Sequence, residues 1–324
     1  MRTPKATVWR AYPGEVFQIA LVNGEWLWIQ EKGGWMWEKD GLMFDDAISE
    51  ASRRLARNRT AESYHIRGVV FLAHEKHKRA LQDFSASLVR APRNAGVLNN
   101  RGHCHYLLKN YPAAIADFTE AIEVDSGHFV AFNNRALAYI ATEQYPAARR
   151  DVQQALKLNP KYPEALLNRG VIHEKSGQSE RAIADYTAAL KIHSSYSEAY
   201  GNRAFSQRTL GRYDKAIRDL RKAIELAPTS CEPINDLAFV LATAREEKFR
   251  DGEKALALAK QACSMSSNRH WNTLDTLAAA HAEVNDFEGA AEAITTALEL
   301  APENKQERLL RHQQLIAGRE KIRE

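Results

Sequence analysis

The chain is poor in the residues that mark several protein classes. Three cysteines occur among 324 residues, without metal-ligand spacing, which argues against a disulfide scaffold and favours a reducing compartment. No apolar run approaches the ~20 residues of a membrane span, and residues 1–15 lack the apolar core of a signal peptide. We therefore expect a cytoplasmic protein, or a periplasmic or envelope-associated one if a leader was removed. Three buried, reduced thiols are expected: Cys104, Cys231 and Cys263.

An excess of one charge sign is also missing. The formal net charge is +4, and Lys/Arg alternate with Asp/Glu along the chain, whereas proteins that track phosphate backbones usually carry basic stripes. The basic clusters at Arg53-Arg54, Arg149-Arg150 and 305–324 are interpreted as solvated helix faces. We expect no nucleic-acid partner.

Motifs for catalysis and cofactor binding are absent as well. The chain has no GxSxG, Walker-type loop, HExxH or GxGxxG, the short motifs with a known mechanism. His103 and His105 invite a metal hypothesis, but residues two apart on a helix point about 200° apart and do not share an ion easily. The sequence predicts no enzyme, no metal site and no cofactor.

What the chain does have is a period of 34 residues. Small residues recur at one position: Gly68, Gly102, Ala136, Gly170, Ala204 and Ala238. Alanine recurs at a second: Ala80, Ala114, Ala148, Ala182 and Ala216. Proline or serine recurs at a third: Pro92, Ser126, Pro160, Ser194 and Pro228. A period of this length indicates stacked helix–turn–helix repeats, each burying its apolar face against its neighbours.

The repeat at 163–196 shows how the spacing produces two helices. Leu166, Gly170 and His173 lie on one helix face, because helical neighbours recur every three to four residues. A Ser-Gly-Gln turn follows, and Ala182 lies on the face of a second helix. Gly170 and Ala182 are small because two antiparallel helices touch there, where a larger side chain would push the backbones apart.

This pattern resembles the tetratricopeptide repeat. It has an aromatic residue or leucine at position 4, a small residue at 8, alanine at 20, an aromatic at 24, alanine at 27 and proline at 32, counted from residue 61. The resemblance implies a mainly α fold, a right-handed α-solenoid similar to bacterial multi-repeat scaffold proteins. Seven repeats cover residues 61–304: 61–94, 95–128, 129–162, 163–196, 197–230, 231–268 and 271–304.

Capping helices are expected at both ends of the array. Residues 43–60 predict an N-terminal cap with Ala47 in the small-residue position, and residues 305–324 predict an amphipathic C-terminal cap. Repeat 6 departs from the pattern, since Arg245–Glu253 is either an insertion or a longer helix.

Residues 1–42 lack the period and alternate instead, with Asn23-Gly24 and Gly33-Gly34 as turns. They predict short strands and resemble a small SH3-like β domain. If two strands pair across Gly33-Gly34, four tryptophans share one face: Trp26, Trp28, Trp35 and Trp37. This patch either binds a peptide or packs the β domain on the first helix; we favour packing because large exposed apolar patches are uncommon.

The resemblance also implies a peptide-binding groove on the first helices. Its residues are Asn99, Asn100, His103, Asn133, Asn134, Leu137, Asn168, Val171, Asn202 and Phe205. The asparagines offer paired donors and acceptors to a peptide backbone; alternatively, they only satisfy neighbouring helices. Groove positions 2, 5 and 6 lack the Lys and Arg of the family's carboxylate clamp, so a neutral or apolar segment fits better than an acidic tail.

A second ladder pairs arginine with aspartate. Arginine recurs at position 7 and aspartate 16 residues later: Arg67/Asp83, Arg101/Asp117, Arg135/Asp151, Arg169/Asp185 and Arg203/Asp219. On antiparallel helices these positions lie close, so we expect bidentate ion pairs that leave the arginines unavailable to an anionic ligand.

The sequence therefore predicts a non-catalytic scaffold that binds a protein or peptide partner. One alternative is a cell-envelope assembly factor that docks through the SH3-like domain. Another is a helical-repeat RNA binder, which would need a positive groove that these residues do not supply.

Overall fold

The computed structural model describes residues 26–29, 34–37, 47–267 and 269–323. The chain divides into two compact units, Met1–Ile172 and His173–Glu324, and the boundary falls within a helix. The described residues form sixteen α-helices: α1 Ala47–Arg57, α2 Ala61–Ala73, α3 His77–Arg90, α4 Ala95–Leu107, α5 Tyr111–Val124, α6 Phe129–Ala141, α7 Tyr145–Leu158, α8 Pro163–Lys175, α9 Ser179–Ile192, α10 Ser197–Thr209, α11 Tyr213–Leu226, α12 Cys231–Thr243, α13 Gly252–Met265, α14 Trp271–Glu283, α15 Phe287–Leu300 and α16 Glu303–Ala317.

The helices begin in the register of the sequence period. The first helices α2, α4, α6, α8, α10 and α12 begin 34 residues apart, and so do the second helices α3, α5, α7, α9 and α11. In the first unit α2 packs on α3, α4 on α5 and α6 on α7, and α3 and α5 also pack on the following first helices. In the second unit α10, α12 and α14 pack on α11, α13 and α15. The right-handed superhelix stays a prediction.

Small residues bring the two helices of a hairpin into contact. A Cβ atom placed on Gly68 would lie 2.7 Å from the Phe84 ring, and one on Gly102 would lie 2.8 Å from the Phe118 ring. Both phenylalanines are fully buried. The alanines at position 20 are also fully buried, from Ala80 to Ala216, so the small residues mark the line where the helices touch.

In repeats 1 to 5 the turn between the two helices has a left-handed backbone at one position, which recurs every 34 residues. In the first unit it holds Glu75, Lys109 and Glu143, with φ of 57°, 60° and 58°. In the second unit it holds Gly177 and Gly211, with φ of 71° and 69°. Glycine adopts this conformation without steric cost, so among these five turns only the two in the second unit carry the favoured residue.

Repeat 6 contains an insertion and not a longer helix. Helix α12 ends at Thr243, a 3₁₀ turn covers Glu247–Phe249, and α13 begins at Gly252. The Asp251 side chain accepts a hydrogen bond from the backbone nitrogen of Lys254 and caps α13. The insertion therefore ends in a normal helix start, after which α13 packs on α12.

Single helices lie at both ends of the described array. Helix α1 packs on α2 and buries Ala51 and Leu55, while the side chain of Ala47 lies outside the described residues. Helix α16 packs on α15 but ends at Ala317. The sequence predicted a helix through residue 324, whereas residues 318–323 leave the helix at Gly318.

The described part of residues 1–42 is a two-stranded antiparallel ladder. Strand β1 covers Trp26–Ile29 and β2 covers Gly34–Trp37, with Trp26 opposite Trp37 and Trp28 opposite Trp35. The other residues of this segment lie outside the described ones, as do the four tryptophan side chains. The complete SH3-like domain and its aromatic patch are therefore not confirmed.

Candidate peptide-binding face

The arginine–aspartate ladder lies between the two helices of each hairpin. Nε and a terminal nitrogen of each arginine donate to the two carboxylate oxygens of one aspartate, at 2.6–2.8 Å. The bidentate prediction is confirmed for four pairs: Arg67/Asp83, Arg101/Asp117, Arg135/Asp151 and Arg203/Asp219. The pairing of Arg169 with Asp185 stays a prediction, since these residues belong to different units.

Each of these aspartates is buried and each arginine is partly exposed. The hydrogen bonds that these arginines donate to the aspartates raise the pKa of Arg67, Arg101 and Arg135. Charge-assisted bidentate bonds are the strongest in proteins. These arginines hold the hairpins together and are engaged by carboxylates, so they do not form an open anion site.

In the first unit the asparagines connect neighbouring first helices. Nδ2 of Asn134 donates to Oδ1 of Asn99 at 3.0 Å, and Nδ2 of Asn168 donates to Oδ1 of Asn133 at 2.8 Å. All four side chains are buried. In the structure these four asparagines therefore satisfy neighbouring helices, which is the second of the two roles considered for them. Such bonds between amides rigidify the stack.

In the first repeat a histidine, His65, stands at the ladder position that Asn99 and Asn133 occupy in repeats 2 and 3. Nδ2 of Asn100 lies 3.2 Å from Nε2 of His65, and an amide nitrogen only donates, so Nε2 accepts. Burial lowers the pKa of His65 to about 4, which keeps the ring neutral and able to accept this bond.

The asparagine ladder is interrupted in the second unit. A Cβ atom on Gly201, at the position of Asn99 and Asn133, would have no heavy atom within 4 Å. Asn202 beside it is half-buried. Asn235, one repeat later, is buried, and its Oδ1 has no hydrogen-bond partner among the described residues. This part of the first-helix face therefore has open space and amide groups that the ladder does not use.

The remaining predicted groove residues form an apolar and aromatic face. The ring of His103 stacks on Tyr106, with centroids 6.3 Å apart, and burial, followed by the charge of His77, lowers the pKa of His103 to about 4. Leu137 and Val171 are half-buried. These three groove side chains are therefore uncharged at physiological pH.

Phe205 is the predicted groove residue with the most exposed side chain, at 40%. The guanidinium carbon of Arg208 lies 4.9 Å from the centre of its ring and 5.0 Å from that of Phe239. A cation between two rings is held by both quadrupoles, so Arg208 links α10 to α12. Sequence reasoning missed Arg208 and Phe239. They stand at positions 12 and 9 of their repeats, and the family resemblance implies groove residues at positions 2, 5, 6, 9, 12 and 13 of each first helix.

No group of His, Cys, Asp and Glu among the described residues has the arrangement of a metal site. His105 instead lies 3.9 Å from Asp117, beside the Arg101 pair. None of the helices between residues 47 and 323 combines the length and apolar character of a membrane span.

Comparison with known families decides what the repeats are. Models of the tetratricopeptide repeat match residues 95–128, 133–197 and 197–230. These repeats are tetratricopeptide repeats. A model of anaphase-promoting complex subunit 5 matches residues 259–316, and no curated protein matches the chain. Tetratricopeptide proteins are generally protein-interaction scaffolds without catalytic function, which use the surface built by their stacked repeats.

Solved structures show the same fold. The APC/C hetero-tetramer Cut9-Hcn1 contains a chain that is 18% identical with a TM-score of 0.67; the match covers 73% of this chain and 46% of that chain, so this chain spans less than half of that relative. A tetratricopeptide repeat protein from Parabacteroides merdae is 17% identical with a TM-score of 0.53, and the match covers 80% of this chain and all of that chain. At these identities the likeness shows the fold alone.

Proposed function

We propose that the chain is a non-catalytic scaffold that binds an extended peptide segment of a protein partner on its first-helix face. The observation that carries this proposal is Phe205, a large aromatic side chain that remains 40% exposed on this face. Aromatic side chains dominate the energetics of peptide and protein recognition. Arg208 and Phe239 fix the position of the ring, which lowers the entropy cost of binding.

We assign the polar contacts with the peptide to Asn202, at the place where the asparagine ladder is interrupted. Asn202 is half-buried beside the open space at Gly201, so its amide can pair with a peptide backbone. In the first unit, Asn99, Asn133, Asn134 and Asn168 are engaged with one another and support the helices. Within the first unit, Asn100, His103, Leu137 and Val171 lie on first helices and are candidates for peptide contacts of that unit.

The test is a selection of random linear peptides, displayed on phage, against the full chain, followed by affinity measurement of the enriched peptides. We expect Phe205→Ala to weaken binding by at least about tenfold, the usual effect of removing an aromatic anchor. The matched control is Ile192→Ala, which removes a side chain of similar exposure, 45%, from the second helix α9. Failure to enrich any peptide, or equal affinities of the two variants, contradicts the proposal.

A further inference from the structure

The segment that follows α16 returns to the first helices of repeats 6 and 7. Gly318 ends the helix, Arg319 adopts a left-handed backbone with φ of 56°, and residues 320–323 are not helical. A left-handed residue after a helix reverses the chain direction. The reversal brings residue 323 to residue 242, which lies 81 positions earlier in the sequence.

Two cationic side chains of this segment bind the C-terminal ends of first helices. Nζ of Lys321 donates to the carbonyl oxygen of Glu283, the last residue of α14, at 2.9 Å. A terminal nitrogen of Arg323 donates to the carbonyl oxygen of Ala242, near the end of α12, at 3.2 Å. Helix C-terminal ends carry partial negative charge and unpaired carbonyls, so they favour cations.

The Glu283 carboxylate provides a full negative charge at the same place. Its Oε2 lies 2.7 Å from Arg323 and its Oε1 lies 3.1 Å from Arg250, which is in the repeat 6 insertion. Arg250 also donates to the carbonyl oxygens of Ala244 and Arg245. The insertion therefore holds Glu283 in position for a second cation.

The residue between the two cations is apolar and buried. Ile322 is only 3% exposed and joins the apolar cluster that contains Leu241, Ala242 and Ala282. Removing such a side chain from water favours the docked position of the segment. Lys321 and Arg323 thus flank an aliphatic anchor, and all three side chains are engaged by α12 and α14.

From these contacts we infer that the ends of α12 and α14 form a recognition site for an extended segment of basic–aliphatic–basic sequence, and that Lys321-Ile322-Arg323 occupies this site within the chain. The partner is a polypeptide segment with a Lys or Arg on each side of an aliphatic residue. It binds by displacing residues 320–323. Charge complementarity selects it, because Glu283 and two helix ends attract cations and repel an acidic segment.

The resident segment sets the apparent affinity of the site. Because it is tethered, it competes at a high effective concentration, and an external segment binds only the fraction of molecules whose site is open. Weakening the resident segment should therefore increase the affinity for a segment of the same sequence.

The experiment measures binding of a fluorescent synthetic peptide with the sequence of residues 319–323, Arg-Glu-Lys-Ile-Arg, to full chains. The release variant carries Ile322→Ser and Arg323→Ala, and we expect it to bind the peptide at least about tenfold more tightly than the unaltered chain. The matched control carries Leu310→Ser and Arg311→Ala, two exposed positions of α16, and should bind like the unaltered chain. A peptide with serine in place of isoleucine should not bind.

Glu283→Gln in the release variant should reduce peptide affinity, whereas Glu288→Gln, at an exposed position of α15, should not. If the release variant loses its helical circular dichroism, Arg323→Ala alone, which keeps Ile322, takes its place. Equal peptide affinity of a folded release variant and the unaltered chain overturns the inference. These residues differ from Phe205 and Asn202, so this proposal and the proposed function can fail separately.

Discussion

Two regions of the chain form the same helical hairpins with different interactions. The bridged region, residues 61–158, has an Arg–Asp pair in each repeat and asparagine bonds between first helices. The alanine-rich region, residues 231–317, has neither: Leu277 and Ala293 stand where repeat 7 would have arginine and aspartate. Its core is lined by buried alanines: Ala238, Ala242, Ala244, Ala255, Ala259, Ala262, Ala278, Ala279, Ala280, Ala282, Ala290 and Ala297.

The alanine-rich region concentrates its polar contacts at the end of the array. The carboxylate of Asp275, which is 1% exposed, accepts from Arg308 at 2.6 Å and lies 2.7 Å from Nδ1 of His312. Both partners come from α16. The ladder distributes its charge pairs over three hairpins, whereas this region has one fully buried carboxylate, Asp275, and a second carboxylate, Glu283, that pairs with Arg250. The comparison shows that both regions place small residues at the helix contacts. The polar bonds are added either as a ladder that repeats in every hairpin of the bridged region or as a cluster at the end of the array.

The largest expected effect is the loss of Asp275. Asp275→Ala removes the carboxylate that accepts from Arg308 and leaves the buried His312 ring without its partner. The lost charge-assisted bond and the unsatisfied buried ring together cost about 3–5 kcal/mol. The denaturation midpoint of the full chain should fall, and hydrogen exchange should rise first in α14 and α16. Asp214→Ala, which removes an exposed pair with Arg218, is the control and should cost less than about 1 kcal/mol. Similar losses in the two variants would contradict the comparison.

Acid should destabilise the bridged region first. Burial lowers the pKa of His65 and His103 to about 4, below the value of about 6.5 for an exposed ring. A base with a lowered pKa in the folded state contributes stability that is complete above pH 6.5 and lost as the pH falls through 4.

At pH 4.5 we expect a loss of about 3 kcal/mol for the two rings together, allowing for their partial exposure. Hydrogen exchange, corrected for intrinsic rates, should show the loss in α2 and α4. The double variant His65→Gln, His103→Gln should reduce this pH dependence. Equal protection of α2 and α4 at pH 7 and pH 4.5 would contradict it.

A single pair of the Arg–Asp ladder should matter less than Asp275. Asp117→Ala removes both bonds to Arg101, whose side chain remains 24% exposed and can turn to water. The expected cost is about 2 kcal/mol, as for a hydrogen bond to a charged group. Chemical denaturation measures it, and Glu120→Ala, at an exposed position of the same helix α5, is the control. If Asp117→Ala and Asp275→Ala lowered the free energy of unfolding equally, the ladder would not be spreading its stabilisation over several pairs.

The smallest effect concerns the left-handed turn residues. Glu143→Gly should stabilise the first unit and Gly211→Glu should destabilise the second, each by about 0.5–1 kcal/mol, because only glycine enters this conformation freely. A Cβ atom on Gly211 meets no atom within 4 Å, so backbone strain alone is tested. Changes of the same sign in the two variants' denaturation midpoints would contradict this account.

Much of the fold was predictable because it is periodic. The spacing of Gly68 and Ala80 predicted which helix faces touch, and the 16-residue spacing from Arg101 to Asp117 predicted their ion pair. Such inferences succeed because neighbours within a hairpin lie at a constant sequence separation. The same reasoning did not decide whether the asparagines bond to neighbouring helices or bind a peptide. A repeat pattern does not tell whether the amide of Asn134 bonds to Asn99 or to a ligand.

By itself, the sequence determined the tetratricopeptide hairpins, their register and the small residues along the helix contacts, because these depend on local spacing. Only the tertiary structure decided which amides bond to one another, that repeat 6 holds an insertion, that Arg208 lies between two rings, and that Arg323 returns to Ala242. These contacts join residues whose separation follows no period, so they depend on where the folded backbone brings the side chains.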